Sequence, residues 1–164
     1  RAKLVDAPEP ARRAIEEAHE EAKQALAELR AFIRGLHPAV LDDRGLDAAL
    51  SGIAARAPLP VTVRSDLPHR CSPTIEAVAY FVVSEALTNV ARHAGATRAA
   101  VTSEHADGRL RVAVTDDGRG GADPERGTGL RGLAQRVAAV DGTLRIDSPT
   151  GGPTVIVAEL PCER

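Results

Sequence analysis

Apolar positions near the start of the chain recur by threes and fours. Between Ala11 and Leu36, the residues Ile15, Ala18, Ala22, Ala25, Leu29, Phe32 and Leu36 step alternately by three and four. That is the heptad seam of a helix that packs lengthwise on other helices. Alanines at several seam positions allow close approach. Leu26 and Ile33 widen the stripe beyond a two-stranded seam, so a four-helix bundle fits it better. An ordinary amphipathic helix packed on its own domain is the competing reading. Gly35-Leu36-His37-Pro38 ends the pattern, because Pro38 disfavours helical geometry at His37.

A second helix is predicted from about Leu46 to Ala57, with Leu46, Ala49, Leu50 and Ile53 on one face. Ala57-Pro58-Leu59-Pro60 breaks it and marks a domain boundary: 1–58 as lead-in helices, 59–164 as a separate domain. Val61-Thr62-Val63 reads as a short strand. Ser72-Pro73 is a helix start, with Ser as N-cap and Pro at the first helical position, and the helix runs to about His93. Strands follow near Ala99–Ser103 and Leu110–Thr115. A Gly-rich loop spans Asp116 to Gly129, and a helix spans about Leu130–Val140. After the Asp141-Gly142 turn, strands near Thr143–Asp147 and Thr154–Glu159 form a closing hairpin. Interleaved strands and helices that end in a hairpin predict an α/β (α+β) sandwich: a mixed sheet with helices on one face, preceded by the long heptad helix.

Composition narrows the classes. Of 164 residues, 43% are hydrophobic and 27% charged, which fits a soluble globular chain. Aromatics are 2%, so the core rests on Ala, Val, Leu and Ile. A net charge of -2 gives no electrostatic basis for nucleic-acid binding. Cys71 and Cys162 stand far apart, with neither zinc-ligand spacing nor a disulfide framework, so a reducing cytoplasm is the expected compartment. No apolar run approaches a membrane span, so no direct membrane contact is expected of this chain. It begins at Arg1 and contains no Met, as expected of a piece of a longer protein whose remainder could hold a sensor or membrane segment.

Three features carry chemistry. Glu85, Asn89 and His93 are spaced i, i+4, i+8 and draw a polar line along an otherwise apolar helix. Asn89 offers an amide oxygen, a hard ligand suited to Mg²⁺, and Glu85 one turn away could orient a metal-bound water or help take a proton. Arg92 and His93 are suited to phosphate. A solvated helix face explains the same line more simply. Asp116-Asp117-Gly118-Arg119-Gly120 follows a strand directly. A carboxylate there can accept a hydrogen bond from an amino group, and Gly118 and Gly120 let backbone approach a ligand; a plain Asp-Gly turn is the bland alternative. Gly127-Thr128-Gly129-Leu130 opens a helix, whose free N–H groups favour phosphate. With Gly132 it also spells G-x-G-x-x-G. That dinucleotide fingerprint needs a strand immediately before its first glycine, and here Gly121 to Arg126 reads as loop. No P-loop string is present.

In combination these motifs resemble the ATPase superfamily of gyrase, heat-shock chaperone, histidine kinase and mismatch-repair proteins. The stretch Ser84-Glu85-Ala86-Leu87-Thr88-Asn89-Val90-Ala91-Arg92-His93-Ala94 resembles the N box of two-component sensor histidine kinases, and most of all the nitrate/nitrite-sensor-like subfamily. Leu36 to Leu41 followed by Gly45 to Leu50 resembles that subfamily's link between dimerisation helices and ATPase domain. The resemblance implies a Bergerat-type sandwich that binds ATP. Asn89 would hold Mg²⁺, Asp116 would receive the adenine amino group, and Thr154 would help hold adenine. Gly118 and Gly120 would allow close nucleotide approach. Residues from about Gly121 to Thr128 would form a short lid, with Gly127 and Gly129 at its far hinge. It further implies phosphoryl transfer from ATP to a histidine, with Glu85 polarising the imidazole, and then to an aspartate of a response-regulator receiver domain. The parent would be a homodimer joined through the N-terminal helix. The accepting histidine, expected on a first dimerisation helix before an acidic residue, is absent: His19 lies on the helix leading into His37-Pro38, and His37 precedes a proline. The chain is therefore expected to bind ATP without phosphorylating itself. Two other readings compete: an anti-sigma-factor-type serine kinase, against which the two-helix lead-in argues, and a non-catalytic nucleotide-gated dimerisation module, against which the intact Glu85, Asn89, Asp116 and glycines argue.

Overall fold

In the computed structural model, residues 39–123 and 128–163 are described. The heptad helix, with His19 and His37, lies outside the described residues. Five strands and three helices follow in the order α1 (Ala39–Ala55), β1 (Val61–Asp66), α2 (Pro73–Asn89), β2 (Ala99–Ala106), β3 (Arg109–Asp116), α3 (Thr128–Ala138), β4 (Thr143–Asp147) and β5 (Thr154–Pro161). The sheet order is β1-β2-β3-β5-β4. The β1–β2 pair is parallel, and β2–β3, β3–β5 and β4–β5 are antiparallel, so the sheet is mixed and ends in the expected hairpin.

Alternation along the strands decides which face is covered. Ala99, Val101 and Ser103 of β2, Leu110, Val112, Val114 and Asp116 of β3, and Thr154, Ile156, Ala158 and Leu160 of β5 are buried. The register places them side by side: Val101 beside Val114 beside Ile156, and Ser103 beside Val112 beside Ala158. One face is thus a continuous apolar floor. On it lies α2, whose Ile75, Ala79, Val82, Val83, Ala86 and Leu87 are buried at helical spacing. Leu130, Leu133 and Val137 anchor α3 in the same core. The helices share one face, as the pattern predicts.

α2 starts as read: Pro73 opens it and the Ser72 hydroxyl accepts the Ile75 N–H at 3.4 Å. It ends differently. After Asn89 the last turn, Val90–Ala94, widens to a π-turn and closes at Gly95, whose φ of 61° is the left-handed helix cap. α1 is longer than its apolar spacing predicts. A helical segment from Ala39 precedes Leu46, bent at Gly45 (φ 82°). Its Leu41, Leu46, Ala49 and Leu50 are buried, and it packs on α2 and β1 within one compact unit, Pro38–Arg164. The helix grouped by sequence with the lead-in segment therefore packs with the sheet.

An ion pair at the start of α2 reaches α1 through a backbone carbonyl. Glu76 is 2% exposed. It receives Arg70 in two parallel hydrogen bonds, Nε to Oε1 at 2.7 Å and Nη2 to Oε2 at 2.6 Å. Arg70 Nη2 also donates to the Leu41 carbonyl at 2.8 Å, and Glu76 raises the Arg70 pKa. The cysteine reading needs correction. Cys71 and Cys162 form a disulfide, with Cα atoms 5.2 Å apart. Their separation of 91 residues hid the pair; the fold brings the segment before α2 against the end of β5.

Candidate nucleotide site

A cavity of about 600 Å³ opens between the end of α2, the loop after β3 and the start of α3. Its lining includes Glu85, Asn89, Arg92 and His93 from α2 and its π-turn, Asp116 and Gly120 from the end of β3 and its loop, Gly129 and Leu130 from α3, and Thr154 from β5. The polar line along α2 therefore faces this cavity, not bulk solvent alone. Val90, Val114, Ile156 and Ala86 give it an apolar wall. Its size and mixed lining suit a ligand with a flat apolar part and a charged end.

The sheet register sets the inner end. Asp116 pairs with Thr154, so two polar side chains sit side by side at the rim of the apolar floor, 5% and 8% exposed. Asp116 Oδ1 accepts the Gly118 N–H at 2.8 Å, which orients the carboxylate. Ser148 backs the pair: its hydroxyl lies 2.9 Å from the Thr154 hydroxyl and accepts the Ala122 N–H at 2.9 Å. Nothing in the local sequence singles out Ser148. Only its place beside the first residue of β5 gives it this role.

Two glycines are required by the chain itself. A Cβ on Gly118 would stand 2.6 Å from the Ala94 carbonyl oxygen and 2.6 Å from Asp116 Oδ1. Gly120 has φ 61°, and a Cβ there would run into the Pro149 carbonyl oxygen. Gly118 thus lets the loop press on the π-turn, and Gly120 lets it press on the β4–β5 connection. Arg119 fastens the first contact, with its N–H donating to the Ala94 carbonyl at 2.9 Å and its Nε to the His93 carbonyl at 3.0 Å. Asp117 is a latch. It accepts Thr97 N–H and Oγ1–H at 2.8 and 2.7 Å and Arg98 N–H at 3.1 Å, and the Thr97 hydroxyl, then Arg98, hold its pKa down to about 2.

At the outer end Glu85 lies against the first turn of α3: a Cβ on Gly129 would meet Glu85 Oε1 at 2.5 Å. Arg92 and His93 lie on the other side of Asn89. Arginines, the N-terminal turn of a helix and an amide side chain line one cavity. Gly127 lies outside the described residues, and Thr128 opens α3. Gly121 to Asp123 begin the expected lid, and Gly121 N–H is tied to the Ser148 carbonyl at 3.1 Å.

Layered fold, cavity and motif order are those of the ATP-binding scaffold of the gyrase and histidine-kinase type. Residues 75–164 match the family of histidine kinase-, DNA gyrase B-, and HSP90-like ATPases, and residues 1–41 match a histidine kinase family. The chain is 35% identical to the sensor histidine kinase MctS of Rhizobium johnstonii, over 80% of its own length and 31% of that protein's. It is 36% identical to the sensor histidine kinase NarS of Mycobacterium tuberculosis, over 87% of its length and 35% of that protein's. The ATP-binding domain of PrrB from Mycobacterium tuberculosis matches at 28% identity with a TM-score of 0.54, covering 73% of this chain and 92% of that one. The histidine kinase domain of the blue-light-activated kinase EL346 from Erythrobacter litoralis matches at 28% with a TM-score of 0.57, covering 71% and 57%. The chain belongs to the histidine kinase-type ATPase family and carries the ATP-binding domain of a sensor histidine kinase. It spans about a third of the length of these curated relatives. Among the described residues no helix is long and apolar enough to cross a membrane.

Proposed function

We propose that the cavity binds ATP with Mg²⁺ and supplies the phosphoryl group for a two-component sensor kinase. The observation that carries the reading is the pairing of Asp116 with Thr154 at a cavity that Asn89, Arg92 and the start of α3 also line. Adenine lies on Val114 and Ile156 and gives its amino hydrogen to Asp116. The Ser148 hydroxyl accepts the Ala122 N–H and shares a hydrogen bond with the Thr154 hydroxyl; when Ser148 is the donor in that bond, the threonine proton is left for the ring. The phosphates extend toward Arg92, His93 and the amides of the first turn of α3, Thr128, Gly129 and Leu130.

The donor set fits a hard cation: Asn89 gives an amide oxygen to the cavity, with Glu85 one turn away. Mg²⁺, when bound, neutralises charge on the phosphate oxygens. Glu85 sits at the phosphate end and accepts the proton on the far nitrogen of an incoming imidazole, raising the nucleophilicity of the near one. The imidazole nitrogen bonds to the γ-phosphorus as the bond to the β-bridging oxygen breaks and ADP leaves. Arg92 and the helix amides stabilise the equatorial oxygens. In the parent protein, which works in the cytoplasm as a homodimer, the phosphoryl group passes from histidine to a response-regulator aspartate.

The test is calorimetric titration of ATP with and without Mg²⁺ into the parent chain and Asn89→Ala. The parent should bind at least about tenfold more tightly with Mg²⁺, and Asn89→Ala should lose that difference. Equal Mg²⁺ dependence in both would remove Asn89 from the metal site and favour the non-catalytic nucleotide module.

A further inference from the structure

Four residues from three segments converge at the opposite end of the sheet. His69 and Cys71 alternate on the segment entering α2, both half-buried while Arg70 between them is exposed. His105 is near the end of β2, opposite Leu110, which in turn faces Leu160 of β5, and Cys162 follows that strand. One ligand atom each from His69, His105 and Cys162 lies within 4.8 Å of the others, and Cys71 is bonded to Cys162. The two imidazole rings meet edge to face, with centroids 4.0 Å apart. His105 Nε2 is 3.0 Å from the Cys162 carbonyl. The nucleotide end of β2, at Ala99, is six residues from His105, roughly 20 Å at strand rise.

A disulfide needs no imidazoles beside it. Two sulfurs and two imidazoles are the donor number and type of a closed tetrahedral zinc site. With zinc–sulfur bonds of about 2.3 Å and zinc–nitrogen bonds of about 2.0 Å, tetrahedral ligand atoms stand about 3.3–3.8 Å apart. The separations among His69, His105 and Cys162 need to close by at most about 1–1.5 Å, and the two sulfurs, bonded here, part to about 3.8 Å once reduced. If His105 donates Nε2–H to the Cys162 carbonyl, its Nδ1 keeps the lone pair, which is the outer-shell hydrogen bond that orients metal-binding imidazoles. Thiolate and imidazole select zinc over the hard cations that Asn89 would bind. Where thiols are kept reduced, a paired cysteine of this kind opens, and clustered Cys and His then serve metal binding.

We propose that reduction of the Cys71–Cys162 disulfide converts His69, Cys71, His105 and Cys162 into a site for one zinc ion, and that the disulfide and zinc states exclude each other. A dithiol supplies two electrons and two protons. It is oxidised to its own disulfide while the Cys71–Cys162 bond becomes two thiols. Zinc then displaces both thiol protons, so uptake releases about two protons per ion. Either state ties the end of β5 to the residue before Ser72, the N-cap of the helix that carries Glu85 and Asn89.

The 164-residue chain is reduced with a dithiol, freed of it and of metal without oxygen, and titrated with Co²⁺ and then Zn²⁺. The expected result is one equivalent of Co²⁺ with tetrahedral ligand-field bands and a thiolate-to-cobalt charge-transfer band, displaced by one equivalent of Zn²⁺. The oxidised chain should take up none. His105→Ala and Cys162→Ser should each weaken zinc binding on the order of 100-fold, with folding checked by circular dichroism. The unsubstituted chain gives an independent readout: zinc should slow alkylation of Cys71 and Cys162 at least about tenfold. Sub-stoichiometric uptake, an octahedral cobalt spectrum, equal uptake by the oxidised chain or unchanged alkylation overturns the proposal. None of these readouts depends on nucleotide binding.

Discussion

Removing either partner of the Arg70–Glu76 pair should have unequal consequences. Glu76 has a side chain 3% exposed, whereas that of Arg70 is 51% exposed. Arg70→Ala strands a carboxylate away from water, takes two charge-assisted hydrogen bonds from it and uncovers the Leu41 carbonyl. Breaking a fully buried pair costs about 3–5 kcal/mol. Water reaches the arginine side, so the structure argues for about 2 kcal/mol here. Glu76→Ala leaves a guanidinium that can turn to solvent, and should cost about 1 kcal/mol. The double variant removes the stranded charge and should be more stable than Arg70→Ala by about 1 kcal/mol. Thermal unfolding followed by circular dichroism, in the oxidised state throughout, reads this directly. At about 4 °C per kcal/mol for a domain of this size, Arg70→Ala should melt roughly 8 °C lower, and adding Glu76→Ala should restore about half of that. Equal single-variant losses, or a double variant that melts lower than Arg70→Ala, would refute the view that α1 is held by a desolvated carboxylate.

Asp117 titrates at about 2 in the folded chain, below its ordinary 3.8, because Thr97 and Arg98 donate to it. A lowered carboxyl pKa stabilises above the unfolded value, and that contribution is lost as pH falls through the folded one. Stability should therefore decline between about pH 4 and pH 2, and Asp117→Asn should flatten that part of an acid-unfolding curve. Gly120→Ala places a Cβ against the Pro149 carbonyl at a left-handed φ, so without nucleotide it should lower stability by about 2–3 kcal/mol in urea unfolding. Incubation with γ-labelled ATP should leave no acid-labile phosphate on His19 or His37; label on either would place the acceptor within this chain.

Much of the sheet side of the fold was legible because its strands alternate cleanly and its helices carry one apolar stripe. Leu110, Val112 and Val114 read as a strand in sequence and are buried on one face in the structure. Ser72-Pro73 read as a helix start because capping is local chemistry. What escaped depends on distance along the chain. The Cys71–Cys162 bond and the histidines beside it join segments that no spacing rule connects. The π-turn at Val90–Ala94 escaped because its sequence is compatible with ordinary helix, and the widening goes with the loop pressing on it through Gly118 and Arg119. Gly118 and Gly120 were legible as positions of close approach, but their nearest partners are the chain's own carbonyls.

The central claim is that Asp116 is the acceptor that reads the base of a bound adenine nucleotide. Titration calorimetry of Mg·ADP into the chain and into Asp116→Ala tests it most directly. A hydrogen bond to a charged acceptor contributes about 1.5–3 kcal/mol, so the variant should bind about 10- to 150-fold more weakly while still melting cooperatively. Binding of equal strength by a folded Asp116→Ala, or no binding by the parent chain, would contradict the account.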